Sequence, residues 1–221
     1  MTDVGNVAAV IDHTLLRPEA TRADVDRLCG EALTLETYGV CVFPFHVGTA
    51  RDILRGRGVR ISAVVAFPFG CTFLETKKSE ARSAAAAGAD EIDVVINLSE
   101  LKSGNDRAVQ TEMEQLMEDG RELGLVMKFI IETAYLDKEE RLRVVDIANR
   151  VGVDFIKTST GFAPAGAKEE DVRFLREHLT PGILIKAAGG IRSRKQAYAL
   201  IEAGASRLGC SRSVEMLQED A

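Results

Sequence analysis

Two lysines close short apolar runs, Lys157 in DFIKTSTGF and Lys186 in ILIKAAGGI, and each passes directly into Ser/Thr- or Gly-rich sequence. A surface lysine normally sits among polar neighbours. An approach through Phe155 and Ile156, or through Leu184 and Ile185, reads instead as a buried strand carrying an amine to an interior site. An amine attacks a carbonyl only when neutral, and at its ordinary pKa about one lysine in 2,500 is neutral at pH 7. Burial and a second nearby cation favour the neutral form, and two lysines at two strand ends can supply both. The chemistry this points to is a Schiff base, whose iminium draws electrons so that an adjacent carbon–carbon bond can break or an α-proton can leave. Asp93 in EIDVVINL suits the accompanying proton traffic, because a carboxylate beside an ammonium can relay protons and orient the amine. These arguments do not say which lysine is the nucleophile. The competing reading is a buried salt-bridge network without catalytic duty; three ionisable groups on three strand ends, aimed at one mouth, favour chemistry.

Positioning such groups requires strands that end together. A punctuation recurs along the chain, in which a helical pattern gives way to an apolar run at Gly39, Gly58, Gly88, Gly124, Gly152, Gly182 and Gly204. The runs span Val40 to Phe43, Arg60 to Phe67, Glu91 to Ile96, Leu125 to Ile131, Val153 to Lys157, Ile183 to Lys186 and Arg207 to Gly209; Ala9 to Asp12 precedes them. Eight short strands alternating with helices, such as those over Asp106 to Leu123 and Lys138 to Val151, predict a closed (β/α)8 barrel of one domain spanning residues 1–221. A doubly wound sheet would want a GxGxxG turn after the first strand, where this chain reads DHTLLRPEAT. Period-two alternation then puts Glu91 with Asp93, Lys128 with Ile130 and Glu132, Phe155 with Lys157, and Leu184 with Lys186 on faces turned into the barrel. Thr21 with Asp24 reads as a capping box, and the charge-dense stretches Glu112 to Glu122 and Asp137 to Arg143 read as solvated helix faces.

The loops after the seventh and eighth runs are suited to an anion. Gly189 and Gly190 precede IRSRKQ, and Gly209, Cys210 and Ser211 open the final helical segment, so backbone N–H groups can approach a phosphate closely. A net charge of −6 and a pI near 5.3 argue against nucleic acid or an anionic membrane as partner and leave a small molecule. Cys29, Cys41, Cys71 and Cys210 form no CxxC pair, and His13, His46 and His178 are spaced for no metal. The start MTDVGNVAAVIDH has no basic region before an apolar stretch, and no run reaches membrane-spanning length, so the expected setting is the cytoplasm.

At IDHTLLRPEAT, VVAFPFG, EIDVVINL, KFIIETAYL, DFIKTSTGF, IKAAGGIR and EAGASRLGCS, in that order, the chain closely resembles the deoxyribose-phosphate aldolases. These are class I aldolases that cleave 2-deoxy-D-ribose 5-phosphate to glyceraldehyde 3-phosphate and acetaldehyde. The resemblance covers nearly the whole chain. It implies a (β/α)8 barrel with no cofactor and no metal, a small phosphorylated sugar as substrate, and assembly as a homodimer or higher homo-oligomer. It further implies that Lys157 is the Schiff-base lysine, Lys186 the second lysine that perturbs it, and Asp93 the proton relay. Phosphate contacts carry over to Gly161, Gly189, Gly190 and Ser211, while Asp12, Lys128 and Cys41 match positions lining or supporting the site; Cys41 also reads as an ordinary small core residue. The chain departs from the family pattern at Phe43 and His46 in CVFPFHV and at Arg212 after Ser211, and its last residues Glu219, Asp220 and Ala221 lack the tyrosine that ends some members. Two further readings stand beside the aldolase: a Schiff-base enzyme with a different aldehyde, prompted by Phe43 and His46, and a phosphate-binding barrel whose lysines only neutralise an anion.

Overall fold

The computed structural model describes residues 6–218. Eight parallel strands pair in chain order and close on themselves, β1 pairing with both β2 and β8. They are β1 (Ile11–Leu15), β2 (Gly39–Val42), β3 (Arg60–Val65), β4 (Glu91–Val95), β5 (Val126–Ile130), β6 (Phe155–Lys157), β7 (Leu184–Ala188) and β8 (Arg207–Cys210). Around them lie α1 (Arg22–Leu35), α2 (Val47–Leu54), α3 (Leu74–Ala87), α4 (Leu98–Lys102), α5 (Asp106–Leu123), α6 (Lys138–Val151), α7 (Glu169–His178), α8 (Arg194–Glu202) and α9 (Ser213–Gln218). Closure leaves no edge strand, and the parallel order puts every strand's C-terminal end at one mouth.

The apolar core lies between the sheet and the helices rather than inside the barrel. Outward-facing Val40, Val42, Ile61, Ala63, Ile92, Val94, Met127, Phe129, Ile156, Ile185 and Leu208 pack with helix residues such as Leu28, Met113, Leu116 and Val144 in one buried cluster. The inward positions, one residue out of phase with these, are largely polar: Asp12, Ser62, Glu91, Asp93, Lys128, Lys157, Lys186 and Arg207 are all buried. Barrel interiors are normally filled with branched aliphatic side chains, so a charged interior is an expense that the outer core must offset. Inside the barrel, Leu16, Cys41 and Val64 make a small separate apolar cluster, against which Phe43 and Phe67 pack.

Most expected strands begin or end within two residues of those observed, but β1 is displaced. Val7–Val10 form a 3-10 turn, in which the Asn6 side chain accepts from the Ala8 N–H, and the strand runs on through Asp12, His13 and Thr14. Polar residues continue it because each finds a partner: Asp12 in Lys186 and Arg207, His13 in Ser213 and Glu31, Thr14 in the Asp12 carbonyl. Gly39 likewise is no helix terminator: α1 ends at Glu36 in the left-handed region (φ 54°), and Gly39 opens β2, where a Cβ would lie 2.7 Å from the Arg60 carbonyl oxygen. The capping box of Thr21 and Asp24 is present at the start of α1. The α5 face is a correction. Glu112 and Asp119, seven residues apart on one side of that helix, are buried against α3, Glu112 pairing with Lys77 at 2.7 Å and Asp119 with Arg82 at 2.9 Å. Opposite charges on the neighbouring helix, invisible to a single-helix pattern, draw these carboxylates inward. The terminal residues Glu219, Asp220 and Ala221 lie outside the described residues.

Candidate active site

Strand register sets the site. Lys157 pairs directly with Lys186 across β6 and β7, and Asp93 with Lys128 across β4 and β5, so the four side chains enter the barrel at neighbouring heights. Asp93 is their hub. Its Oδ2 accepts from Lys157 Nζ at 2.8 Å and from Lys186 Nζ at 2.7 Å, and its Oδ1 accepts from Lys128 Nζ at 2.8 Å and Ser62 Oγ at 2.9 Å. Sharing one oxygen holds the two lysine nitrogens no more than about 5.5 Å apart, where two ammonium groups would repel strongly. Below them Lys186 also donates to Asp12, Lys128 pairs with Glu91 at 2.6 Å, and Arg207 bridges Asp12 at 3.0 Å and Glu91 at 3.2 Å. The Arg207 guanidinium lies 3.3 Å from the Tyr38 ring centroid, and the Tyr38 hydroxyl donates to Glu91.

Burial alone would raise the pKa of Asp93, but Lys128, Lys157 and Lys186 more than offset it and hold the carboxyl well below its ordinary range. Asp12 is lowered in the same way, its burial outweighed by Lys186, Lys128 and Arg207. Lys186 and Lys128 are raised, since their carboxylate partners outweigh a burial that favours the neutral amine. Both carboxylates therefore stay ionised and both of these lysines stay cationic at neutral pH. The Cys41 thiol, 3.9 Å from Asp93 Oδ2, is pushed up by burial and remains protonated.

Above the network opens a cavity of about 400 Å³, lined by Lys157, Thr160, Gly161, Gly189, Gly190 and Ser211 among others. Of the expected site residues, Lys157 and these three glycines and serine face the cavity together, whereas Asp93, Lys186, Lys128, Asp12 and Cys41 lie beneath it. Gly189 and Gly190 both take positive φ, 87° and 76°, which turns the chain after β7 back over the mouth. Gly209 and Cys210 belong to β8, and the last helix starts at Ser213 rather than at them. Arg17 and Arg212 also line the cavity. Phe162 also lines the cavity; it is half exposed and meets Phe67 edge-on at 5.4 Å, and Phe67 meets Phe43 at 6.0 Å. His46 is buried beside Phe45 and is not among the lining residues.

Several participants escaped the sequence pattern. Ser62 and Arg207 occupy inward strand positions, and the same period-two argument that found Lys186 would have found Arg207, two residues before Gly209 on β8. Glu132 was expected inside the barrel with Lys128. Its φ of 47° instead swings the carboxylate to the loop after β6, where it accepts from the backbone N–H and the hydroxyl of Thr160. Leu184, two residues before Lys186 on β7, is exposed at the start of the strand. His13 is buried between Ser213 and Glu31, a tie between β1 and α9. Among the described residues no group of three or more His, Cys, Asp or Glu side chains is arranged to hold a metal ion. No helix among them is long and apolar enough to cross a membrane.

A closed barrel that presents an amine on an ionised carboxylate, beneath a glycine-lined cavity at the strand ends, has the architecture of a lysine-dependent barrel lyase. Comparison with known proteins narrows the class: the chain belongs to the DeoC/LacD family of aldolases, whose model matches residues 6–212. It is 47% identical over 216 residues to a deoxyribose-phosphate aldolase of Aciduliprofundum boonei, covering 98% of this chain and 97% of that one. It is 44% identical to one of Thermococcus gammatolerans over 96% of each chain. Among solved structures, the tetrameric deoxyribose phosphate aldolase of Aeropyrum pernix superposes with a TM-score of 0.90 at 34% identity, over 96% of this chain and 90% of that one.

Proposed function

We propose that the protein reversibly cleaves 2-deoxy-D-ribose 5-phosphate to D-glyceraldehyde 3-phosphate and acetaldehyde, in the catabolism of deoxyribose phosphates, with Lys157 as the iminium-forming nucleophile. One observation carries the assignment of Lys157 over Lys186: both amines contact Asp93 Oδ2, but only Lys157 also lines the cavity. Lys186, fully buried between Asp12 and Asp93 and with its pKa raised, serves as the resident cation.

The neutral Lys157 amine adds to the substrate aldehyde, and the resulting carbinolamine hydroxyl takes up a proton and leaves as water, giving the iminium. A base takes the proton of the C3 hydroxyl, the C2–C3 bond breaks, its electron pair passes into the iminium to give an enamine, and glyceraldehyde 3-phosphate departs. Protonation of the enamine carbon and addition of water then release acetaldehyde and restore the amine. Asp93 is the proton relay, fixed by Lys128 and Ser62 on one oxygen while the other serves the lysines. The phosphate is held by the backbone around Gly161, Gly189, Gly190 and Ser211, while Asp12, Lys128 and Cys41 support the lysines and Asp93. We also propose that the chain works as one domain and as a homo-oligomer, and that its setting is the cytoplasm, where charged sugar phosphates are retained. The Aeropyrum pernix relative, a tetramer, supports assembly.

Phe162, which lines the cavity and is backed by Phe67 and then Phe43, favours a second reading, in which the same iminium serves a less polar aldehyde; turnover across an aldehyde series separates the two. The mechanism itself is tested by intact mass after incubation with acetaldehyde and borohydride. One ethyl group per chain, absent in Lys157→Met and present in slower-labelling Lys186→Met, is expected. Label persisting in Lys157→Met, or none in the wild type, would overturn the assignment.

A further inference from the structure

The charged interior of the barrel is not balanced. Lys128, Lys157, Lys186 and Arg207 stand against Asp12, Glu91 and Asp93, four cations to three carboxylates, in one connected and buried network. The neighbouring side chains do not make up the difference. Ser62 is neutral, Tyr38 donates its hydroxyl to Glu91, and the Cys41 thiol keeps its proton. Glu132, past the end of β5, directs its carboxylate to Thr160 and makes no ion pair among the described residues; burial raises its pKa, and the Thr160 hydrogen bonds and the more distant Lys157 charge offset that only in part. His13, though on β1, faces Ser213 and Glu31 outside the barrel.

A buried surplus charge is costly, and the network can remove it by releasing one proton. Arg207 does not release protons at accessible pH. Lys128 holds two carboxylates, and Lys186 also holds two. Lys157 has a single carboxylate contact, to an oxygen it shares with Lys186, and it alone of the four reaches the cavity. Losing its proton gives up the fewest attractions and leaves three cations against three carboxylates.

We infer that Arg207 and Glu91, at the base of the barrel and out of reach of substrate, set the pH at which Lys157 becomes a nucleophile, because together they fix the network's surplus at one positive charge. The inference rests on Lys157 being the iminium lysine. Arg207 and Glu91 are positioning residues here, acting through Asp12, Lys128 and Asp93. Arg207 pairs in register with Lys186, and Lys186 with Lys157, so two strand spacings separate it from the nucleophile, about 10 Å between backbones. At that range one buried charge moves a titration by about one pH unit when the effective dielectric is ~20.

The test is the pH dependence of iminium trapping with acetaldehyde and cyanoborohydride, in the wild type, Arg207→Met, Glu91→Gln and the double variant. Arg207→Met removes the surplus, so Lys157 keeps its proton to higher pH and the acid limb of the trapping profile moves up by about one unit. Glu91→Gln doubles the surplus and moves the limb down by a similar amount. The double variant, with three cations and two carboxylates, returns to the wild-type position. At a fixed pH on the limb the two single variants label about tenfold more slowly and tenfold faster than the wild type. A merely structural role lowers rates without driving the limbs in opposite directions, and limbs that stay together overturn the inference. Glu91→Gln, which removes no volume, decides alone if Arg207→Met does not fold: a limb that stays or rises counts against us. Trapping absent from Lys157 at every pH would instead remove the mechanism above, a separate and recognisable failure.

Discussion

Gly166 touches no part of the proposed chemistry, yet replacing it should separate phosphate recognition from iminium formation. It lies in the long loop between β6 and α7, and a Cβ built on it falls 2.1 Å from the Gly189 carbonyl oxygen and 2.3 Å from its carbon. Ordinary contact needs a little over 3 Å, so Gly166→Ala forces Gly189 and its neighbours outward by about 1 Å. The same contact is stitched by the Ala167 N–H, which donates to the carbonyls of Ala188 at 3.1 Å and Gly189 at 3.0 Å. Losing that bifurcated bond costs about 1 kcal/mol of stability. The functional cost is larger, because a charge-assisted hydrogen bond from the displaced loop to a phosphate is worth about 1.5–3 kcal/mol. We therefore expect kcat/KM for 2-deoxy-D-ribose 5-phosphate to fall about 10- to 100-fold, chiefly in KM. Acetaldehyde, which carries no phosphate, should still label Lys157 at close to the wild-type rate. A folded Gly166→Ala protein with unchanged kcat/KM would refute the phosphate placement, and equal losses in turnover and labelling would show that the loop instead shapes the lysine site.

Asp93→Asn removes the relay while keeping the size of the hub, and should lower kcat by about 10²- to 10⁴-fold, read from single-turnover cleavage. The buried pair of Lys77 and Glu112 stabilises the outer layer only, since Lys77 also donates to the Val95 carbonyl and Glu112 accepts from the Asn97 N–H. Burial lowers the pKa of Lys77 and raises that of Glu112, so Lys77→Met strands a carboxyl and should lower the unfolding free energy by about 3–5 kcal/mol. Lys77→Met with Glu112→Leu should recover most of that in a urea titration, with turnover unchanged. Finally, the lowered native pKa values of Asp12 and Asp93 contribute stability that is fully present above their unfolded values near 4 and is lost as pH falls through the native ones. Urea midpoints should therefore fall steeply only below about pH 4, and Asp12→Asn should flatten that acid decline; an equally steep decline in the variant would contradict the sign.

What the sequence made legible follows from local periodicity. Lys157, Lys186 and Asp93 stood out because each interrupts an apolar run at a fixed phase, and a strand's phase survives folding. The helices over Asp106–Leu123 and Lys138–Val151 stood out because Gly124 and Gly152 close their ends, and the structure adds Asn105 and Asp137 as caps at their starts, all local signals. Partners brought together from distant strands were not legible in that way. Arg207 and Asp12 meet across 195 residues of chain, and nothing near either says that the other satisfies it. The same holds for Glu112 and Asp119, which read as solvated until α3 supplies their cations. Glu132 was lost to a backbone reversal at a single residue, which alternation cannot anticipate.

The two oxygens of Asp93 explain why a barrel should carry so much charge below its mouth. A carboxylate serving only Lys157 and Lys186 would be free to rotate as one of those amines became an iminium, and the reorganisation would raise the barrier to each proton transfer. Here Oδ1 is occupied by Lys128 and Ser62, so in the mechanism proposed above Oδ2 would stay aimed at Lys157 Nζ, a preorganised dipole rather than a responsive one. Lys128 in turn needs Glu91, and Glu91 needs Arg207 and the Tyr38 hydroxyl. Each added charge fixes the one above it. The polar interior is thus best understood as a single support, built downward from one carboxylate oxygen until the last guanidinium rests on an aromatic ring at the base.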